Sequence, residues 1–282
     1  MSPPASPPAA TRRDRFTVGD GAEVSRLRPL DTPYLPESRW TVVDVVLALL
    51  AGFVAVAVLG SLFFVATGIE DTGFAVLVVS LPIQAAATLA TLALLGRRHA
   101  GVWFPAQVGL AWRWGDAAWI AAGLVLQFLV AIVVGSLLNL LPGEPSQQQV
   151  VEVASEVPRD WVLVVVFALL VVVAPVVEEI VYRGVLLSRL RRSMGPWPAI
   201  LVAAGAFAAI HLVDPAAVYA VPGLFLIGVA LGWLALSTGD LGVPIAVHAG
   251  VNLTAVVLLT FAEDIAGAGG GMVTAVLDVL PG

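Results

Sequence analysis

Seven stretches of this chain stay apolar long enough to cross a lipid bilayer, and that leaves few folds open to it. A span needs about 20 predominantly apolar residues in a helix. The runs lie at about residues 41–67, 74–96, 116–141, 161–188, 196–213, 217–237 and 242–262. Each is continuous, whereas barrel strands would alternate apolar and polar over about ten residues. The expected fold is therefore an all-α polytopic membrane protein, a bundle of about seven transmembrane helices. A last apolar piece, "MVTAVLDVL" at 272–280, would rise only about 13 Å as a helix. It is expected to lie at the surface; as a span it would make eight.

Composition agrees. The chain is 59% hydrophobic and 12% charged, against about 25% charged in an average soluble domain, so it cannot cover its own surface with polar groups. It has no cysteine, which excludes a disulfide framework, a thiolate metal site and a thiol nucleophile.

Residues 1–39 are polar and proline-rich, lack the apolar h-region of a secretory leader, and are expected to form a disordered tail. Residues 40–160 hold the first three helices, 161–262 a second group of helices, and 263–282 a carboxy-terminal tail.

All 14 basic residues are arginine, which by association suggests a bacterial source and hence a bacterial cell membrane. Six lie between Arg12 and Arg39, three (Arg97, Arg98, Arg113) between the second and third spans, and three (Arg189, Arg191, Arg192) after the fourth. By parity these twelve fall on one face. The opposite loops, "GIEDTG" and "GEPSQQQVVEVASEVPRD", hold only Arg159. The positive-inside rule then places the amino terminus in the cytoplasm. His99 falls in the same basic loop and reads as a solvated residue. Tryptophans 40, 103, 112, 114, 161 and 197 fall near span ends, as interfacial anchors do.

Inside the fourth span stands "APVVEEIVYRGVLL", with Glu178, Glu179 and Arg183. A charge at mid-helix costs about 2.5–3.5 kcal/mol on insertion scales, so these three must face the bundle interior or a wet cavity. Glu179 and Arg183 are four apart and share a helix face, where they can pair. Glu178 lies about 100° round the helix and would be left free. The plainer alternative is that all three only lock helices together. Pro175 cannot donate to the Val171 carbonyl and should kink the span beside the carboxylates.

Two histidines lie in later spans. His211 ends "FAAIH", four residues after Phe207, and His248 opens "HAGVN", four before Asn252. That spacing puts His248 and Asn252 on one face. A single membrane histidine is commonly a helix–helix hydrogen bonder. Two carboxylates, two imidazoles and a carboxamide on three apolar helices ask for more. Helix rise places Glu178 about 16 Å and His211 about 22 Å from the arginine-rich side.

"EEIVYR", "FAAIH" and "HAGVN", in that order on successive helices, resemble the three motifs of the CPBP family of CAAX prenyl endopeptidases and bacteriocin-processing enzymes, also called the Abi family. The resemblance covers roughly residues 161–262. It implies an intramembrane protease, with Glu178, Glu179, Arg183, His211, His248 and Asn252 as its catalytic set. The residues suit the chemistry. A carboxylate in apolar surroundings is a competent general base, so Glu178 can activate a water shared with His211. His248 and Asn252 can offer N–H donors to the oxyanion. Glu179 with Arg183 would hold the helix.

The family is often classed among metalloproteases, and a metal stays open. If zinc is bound, Glu178, His211 and His248 are its ligands, with one position left for water; no HExxH motif settles the matter. The substrate would be a peptide or a membrane protein, with or without a lipid modification, and no nucleic acid is involved. The competing readings are a proton- or cation-coupled transporter and an inactive scaffold or immunity protein. The paired short or broken helices of a transporter are not visible, and no polar position of the three motifs is missing. Smaller features read as packing: "GVALG" (Gly228, Gly232) has the spacing of close helix contact, and the sequon "NLT" at 252–254 lies inside a span.

Overall fold

The computed structural model describes residues 30, 39–69, 73–98, 104–138 and 161–267. The expectations for the amino-terminal tail, His99, Trp103, Arg159 and the 272–280 segment fall outside these. Among the described residues there is no strand. The long helices follow the apolar runs: α1 Val42–Thr67, α2 Gly73–Gly96, α3 Trp114–Leu137, α4 Trp161–Ser193, α5 Pro196–Val213, α6 Val221–Thr238 and α7 Gly242–Gly267. The first six are long and apolar enough to cross a membrane, and the apolar part of α7 is the shorter stretch Gly242–Leu258. The chain is a polytopic helical membrane protein.

Local chemistry sets the helix ends. Thr41 caps α1: its hydroxyl accepts from the Asp44 amide, and the Asp44 carboxylate accepts from the Thr41 amide at 2.8 Å. This satisfies two of the donors that a helix start leaves open. Gly68 (φ 64°) and Gly239 (φ 82°) end α1 and α6 in the left-handed region, which glycine adopts without a Cβ clash. Outward side chains are apolar and open. Val54, Leu62 and Val65 of α1 are 60, 61 and 83% exposed, which suits lipid and not water.

The central element is α4. It packs against α1, α2, α5, α6 and α7, and every residue from Glu179 to Leu187 is buried. Around it the helices pair as α1–α2, α3–α7 and α5–α6. Two of these pairs rest on glycine. A Cβ on Gly123 of α3 would run into the Val247 carbonyl, and one on Gly250 of α7 into the Ile120 carbonyl, so these two backbones touch. On α6, a Cβ at Gly228 would sit 3.0 Å from the Ala204 Cβ, and one at Gly232 would sit 3.2 Å from the Ile200 Cγ2. The close-packing reading of "GVALG" therefore holds. Apolar burial does not distinguish lipid from a neighbouring helix, so close approach of this kind supplies much of the association.

The described arginines of the loops gather at one end. Arg98 pairs with Asp44, Arg113 with Asp240 at 2.7 Å, and Arg192 donates to the Trp40 carbonyl at 3.2 Å. Burial pushes the Asp240 carboxyl above its ordinary range, and the Arg113 guanidinium pulls against that. Trp40 departs from its expected role as an interfacial anchor. It is 1% exposed, stacks edge-on against Phe104 and donates its indole N–H to the Gln107 carbonyl at 3.2 Å. The ring closes the bundle end because a polar partner for its N–H lies inside. Trp114, Trp161 and Trp197 are 70, 70 and 52% exposed, as anchors should be.

Gly123→Ala and Gly250→Ala should each cost about 1–3 kcal/mol through overpacking or prevent folding. Gly205→Ala meets no atom within 4 Å and should be neutral or gain slightly from helix propensity. Thermal unfolding of the purified protein in detergent checks this; equal losses at all three glycines would contradict the α3–α7 contact.

Candidate active site

The site is built on an irregular stretch of α4. The helix is α-helical over Trp161–Ala168, widens to a π-helix over Leu169–Val173, returns to α over Ala174–Glu178, and widens again over Glu179–Leu187. Wide turns of this kind are rare and gather at functional sites. The first has a visible cause. Pro175 has no N–H and its ring crowds the turn before it. Where the expected kink would fall, the structure has a wide turn, in which bonds run back five residues. Counted that way, Pro175 fails to serve Leu170, and the Asn252 Nδ2 donates to the Leu170 carbonyl at 2.8 Å. The asparagine on α7 supplies the donor that the proline lacks. The second wide stretch ends at Ser188, whose hydroxyl lies 2.7 Å from the Gly184 carbonyl and 2.9 Å from that of Val185.

Glu179 is fully buried and is committed through one oxygen, while its Oε2 has no hydrogen-bond partner among the described residues. Its Oε1 accepts from Arg183 Nη1 at 2.7 Å and from His248 Nδ1 at 2.8 Å. Arg183, 1% exposed, also donates to the Gly228 carbonyl at 3.2 Å, and its guanidinium lies 4.7 Å from the centre of the Phe207 ring. One ion pair thus joins α4, α5, α6 and α7. The pairing expected from the four-residue spacing is present, with an addition: the expected partner of Asn252, His248, is held by Glu179.

Glu178 is different. Its side chain is 29% exposed, and His248 Nε2 lies 3.5 Å from its Oε2. It opens on a cavity of about 240 Å³, which His211 also lines. His211 Nδ1–H donates to the Phe207 carbonyl at 2.8 Å, leaving Nε2 for the cavity. The counted depths of the two residues differ, yet both line the cavity, and α5 tightens from α-helix to a 3₁₀ turn at His211.

All six expected residues therefore fall in one region. Glu178 and His211 share a cavity, and His248 bridges both glutamates. Asn252 lies one helical turn further along α7, tied to Leu170. Among the described residues no group of three His, Asp or Glu side chains is arranged to hold a metal ion. The conditional set of Glu178, His211 and His248 does not form a ligand cluster.

Two residues of the site were not assigned roles from sequence. Phe207 is 1% exposed, and its ring meets Tyr182, His211 and His248 edge-on at 5.4, 5.1 and 5.7 Å. It is the surface on which both imidazoles rest. Its place four residues before His211 was the available signal. Tyr182 lines the cavity, and its hydroxyl is buried without a hydrogen-bond partner among the described residues.

Residues 160–254 match the family model described as type II CAAX prenyl endopeptidase Rce1-like. The match includes "EEIVYR", "FAAIH" and "HAGVN" and leaves α1, α2 and α3 outside it. No curated protein and no solved structure matches the chain. Two of the motif residues, Glu178 and His211, line one cavity, and residues 160–254, about a third of the chain, form a region similar to the Rce1-like type II CAAX prenyl endopeptidases.

Proposed function

We propose that Glu178 and His211 activate the water that cleaves a peptide bond within the bundle, and that His248 and Asn252 stabilise the oxyanion. The observation that carries this reading is the contrast between neighbours. Glu179 Oε1 is spent on Arg183 and His248, while Glu178 opens on the cavity that His211 also lines.

Water held between the Glu178 carboxylate and His211 Nε2 gives a proton to Glu178 as its oxygen adds to the peptide carbonyl. The oxyanion that forms needs donors already in place. His248 is oriented by its Nδ1–H bond to Glu179, so Nε2 is the nitrogen it turns toward Glu178 and the reacting centre. Asn252 has one amide hydrogen on the Leu170 carbonyl, which fixes the carboxamide and leaves the second for the oxyanion. When the C–N bond breaks, Glu178 returns the proton to the leaving nitrogen. The products are a carboxyl and an amine terminus. Each of these steps is assigned to the chain's own groups.

The substrate class follows the family: a peptide or membrane protein with a cleavable bond near the bilayer, with or without a lipid modification. The arginine-bearing end would face the cytoplasm. If the source is bacterial, the enzyme sits in the cell membrane.

Glu178→Gln should leave a folded protein and reduce cleavage at least a hundredfold. Retained cleavage by a protein that elutes and melts like wild type would sink the role of Glu178. His248→Ala and Asn252→Ala should lower kcat more than they raise KM; a change in KM alone would count against the oxyanion role. Arg183→Ala should cost about 3–5 kcal/mol of stability because it leaves Glu179 buried without its cation. Thermal melting separates that structural loss from the effect of Glu178→Gln.

A further inference from the structure

The cavity at Glu178 has a second wall, contributed by helices outside the family match. Leu49 and Phe53 come from α1, and Leu81, Gln84, Ala85 and Thr88 from α2. In this apolar lining Gln84 and Thr88 stand out. They are four apart, so they share one face of α2, and both line the cavity that Glu178 and His211 also line. Thr88 is 2% exposed. Neither side chain has a hydrogen-bond partner among the described residues. Polar groups without partners are costly in such apolar surroundings, so the cavity is where these two can find one.

The wall is also shaped around this pair. Gly52 of α1 faces it, and a Cβ there would lie 2.6 Å from the Thr88 hydroxyl oxygen and 3.1 Å from Gln84 Cγ. Glycine at this point leaves the two polar groups their room.

A carboxamide offers both a donor and an acceptor, and a hydroxyl does the same. The ligand that matches alternating donors and acceptors is an extended peptide backbone. A helical segment would not fit the pair, because its N–H and C=O groups are used internally. We infer that Gln84 and Thr88 bind the unwound backbone of the substrate across from Glu178, and that Leu49, Phe53 and Leu81 beside them accept an apolar side chain next to the scissile bond. Selectivity is then carried by α1 and α2, and hydrolysis by the family-matched helices. The inference rests on the proposed role of Glu178.

The test uses the full-length protein in detergent and a library of internally quenched decapeptides, with cleaved members identified by mass spectrometry. Apolar residues should dominate one position next to the cleaved bond. Gln84→Leu and the near-isosteric Thr88→Val should each raise KM about fivefold to tenfold, the worth of one hydrogen bond. In both, kcat should stay within twofold, and Thr88→Ser should restore the wild-type KM. N-methylating the backbone amides flanking the cleaved bond, one at a time, should weaken wild-type binding at one of them. At that position it should have less effect on Gln84→Leu or Thr88→Val, because the bond is already gone. A merely structural role would not produce that dependence on the peptide backbone. Unchanged KM in both variants, or N-methylation that acts alike on wild type and variants at every position, overturns the inference while leaving Glu178 in place. A library that wild type does not cleave, or that Glu178→Gln cleaves as well as wild type, overturns the underlying reading and this inference with it.

Discussion

The buried bond between Glu179 and Arg183 is the constraint on which the rest depends. Two opposite charges at 1% exposure or less are tolerable only if most of their donors and acceptors are met, and of this pair Glu179 Oε2 still lacks a partner among the described residues. Meeting them recruits the neighbouring helices. The Gly228 carbonyl takes an arginine N–H, Phe207 offers its ring face, and His248 brings its Nδ1. The pair therefore contributes less as stabilisation than as registry. It fixes how α5, α6 and α7 sit against α4, and by elimination it leaves Glu178 as the uncommitted carboxylate.

The glycine contacts are a condition of that arrangement. Arg183 reaches the Gly228 carbonyl because a hydrogen stands where a side chain would hold α6 away from Ala204 and Phe207. Gly250 does the same for α7 against α3. It sits between His248 and Asn252, so the helix that presents those two side chains on one face is pressed against α3 on another. Charge pairing gives the register and small residues give the distance.

Much of this was legible in the sequence. The spans follow from apolar length alone, and the Glu179–Arg183 pair follows from a spacing of four. What was not legible depends on partners far along the chain. Pro175 announces a disturbance in α4, but its form depends on Asn252, 77 residues later, reaching the Leu170 carbonyl. Trp40 reads as an interfacial ring until Gln107 supplies an interior acceptor. Gln84 and Thr88 are uncharged, and a span tolerates such residues without comment, so nothing in the local pattern sets them apart. Only the cavity does.

The order of the helices has a consequence for how the enzyme comes into being. α7 is the last of the seven long helices to be synthesised, and it carries both His248 and Asn252. A nascent chain that has threaded α1 to α6 already holds Glu178 and His211, yet Glu179 lacks its imidazole and Leu170 lacks its donor. α7 must then slot against α3, made more than a hundred residues earlier, before the constellation is whole. Under the proposed roles of these residues, the protein spends its synthesis without a complete hydrolytic centre, and competence arrives only when the bundle closes around α7.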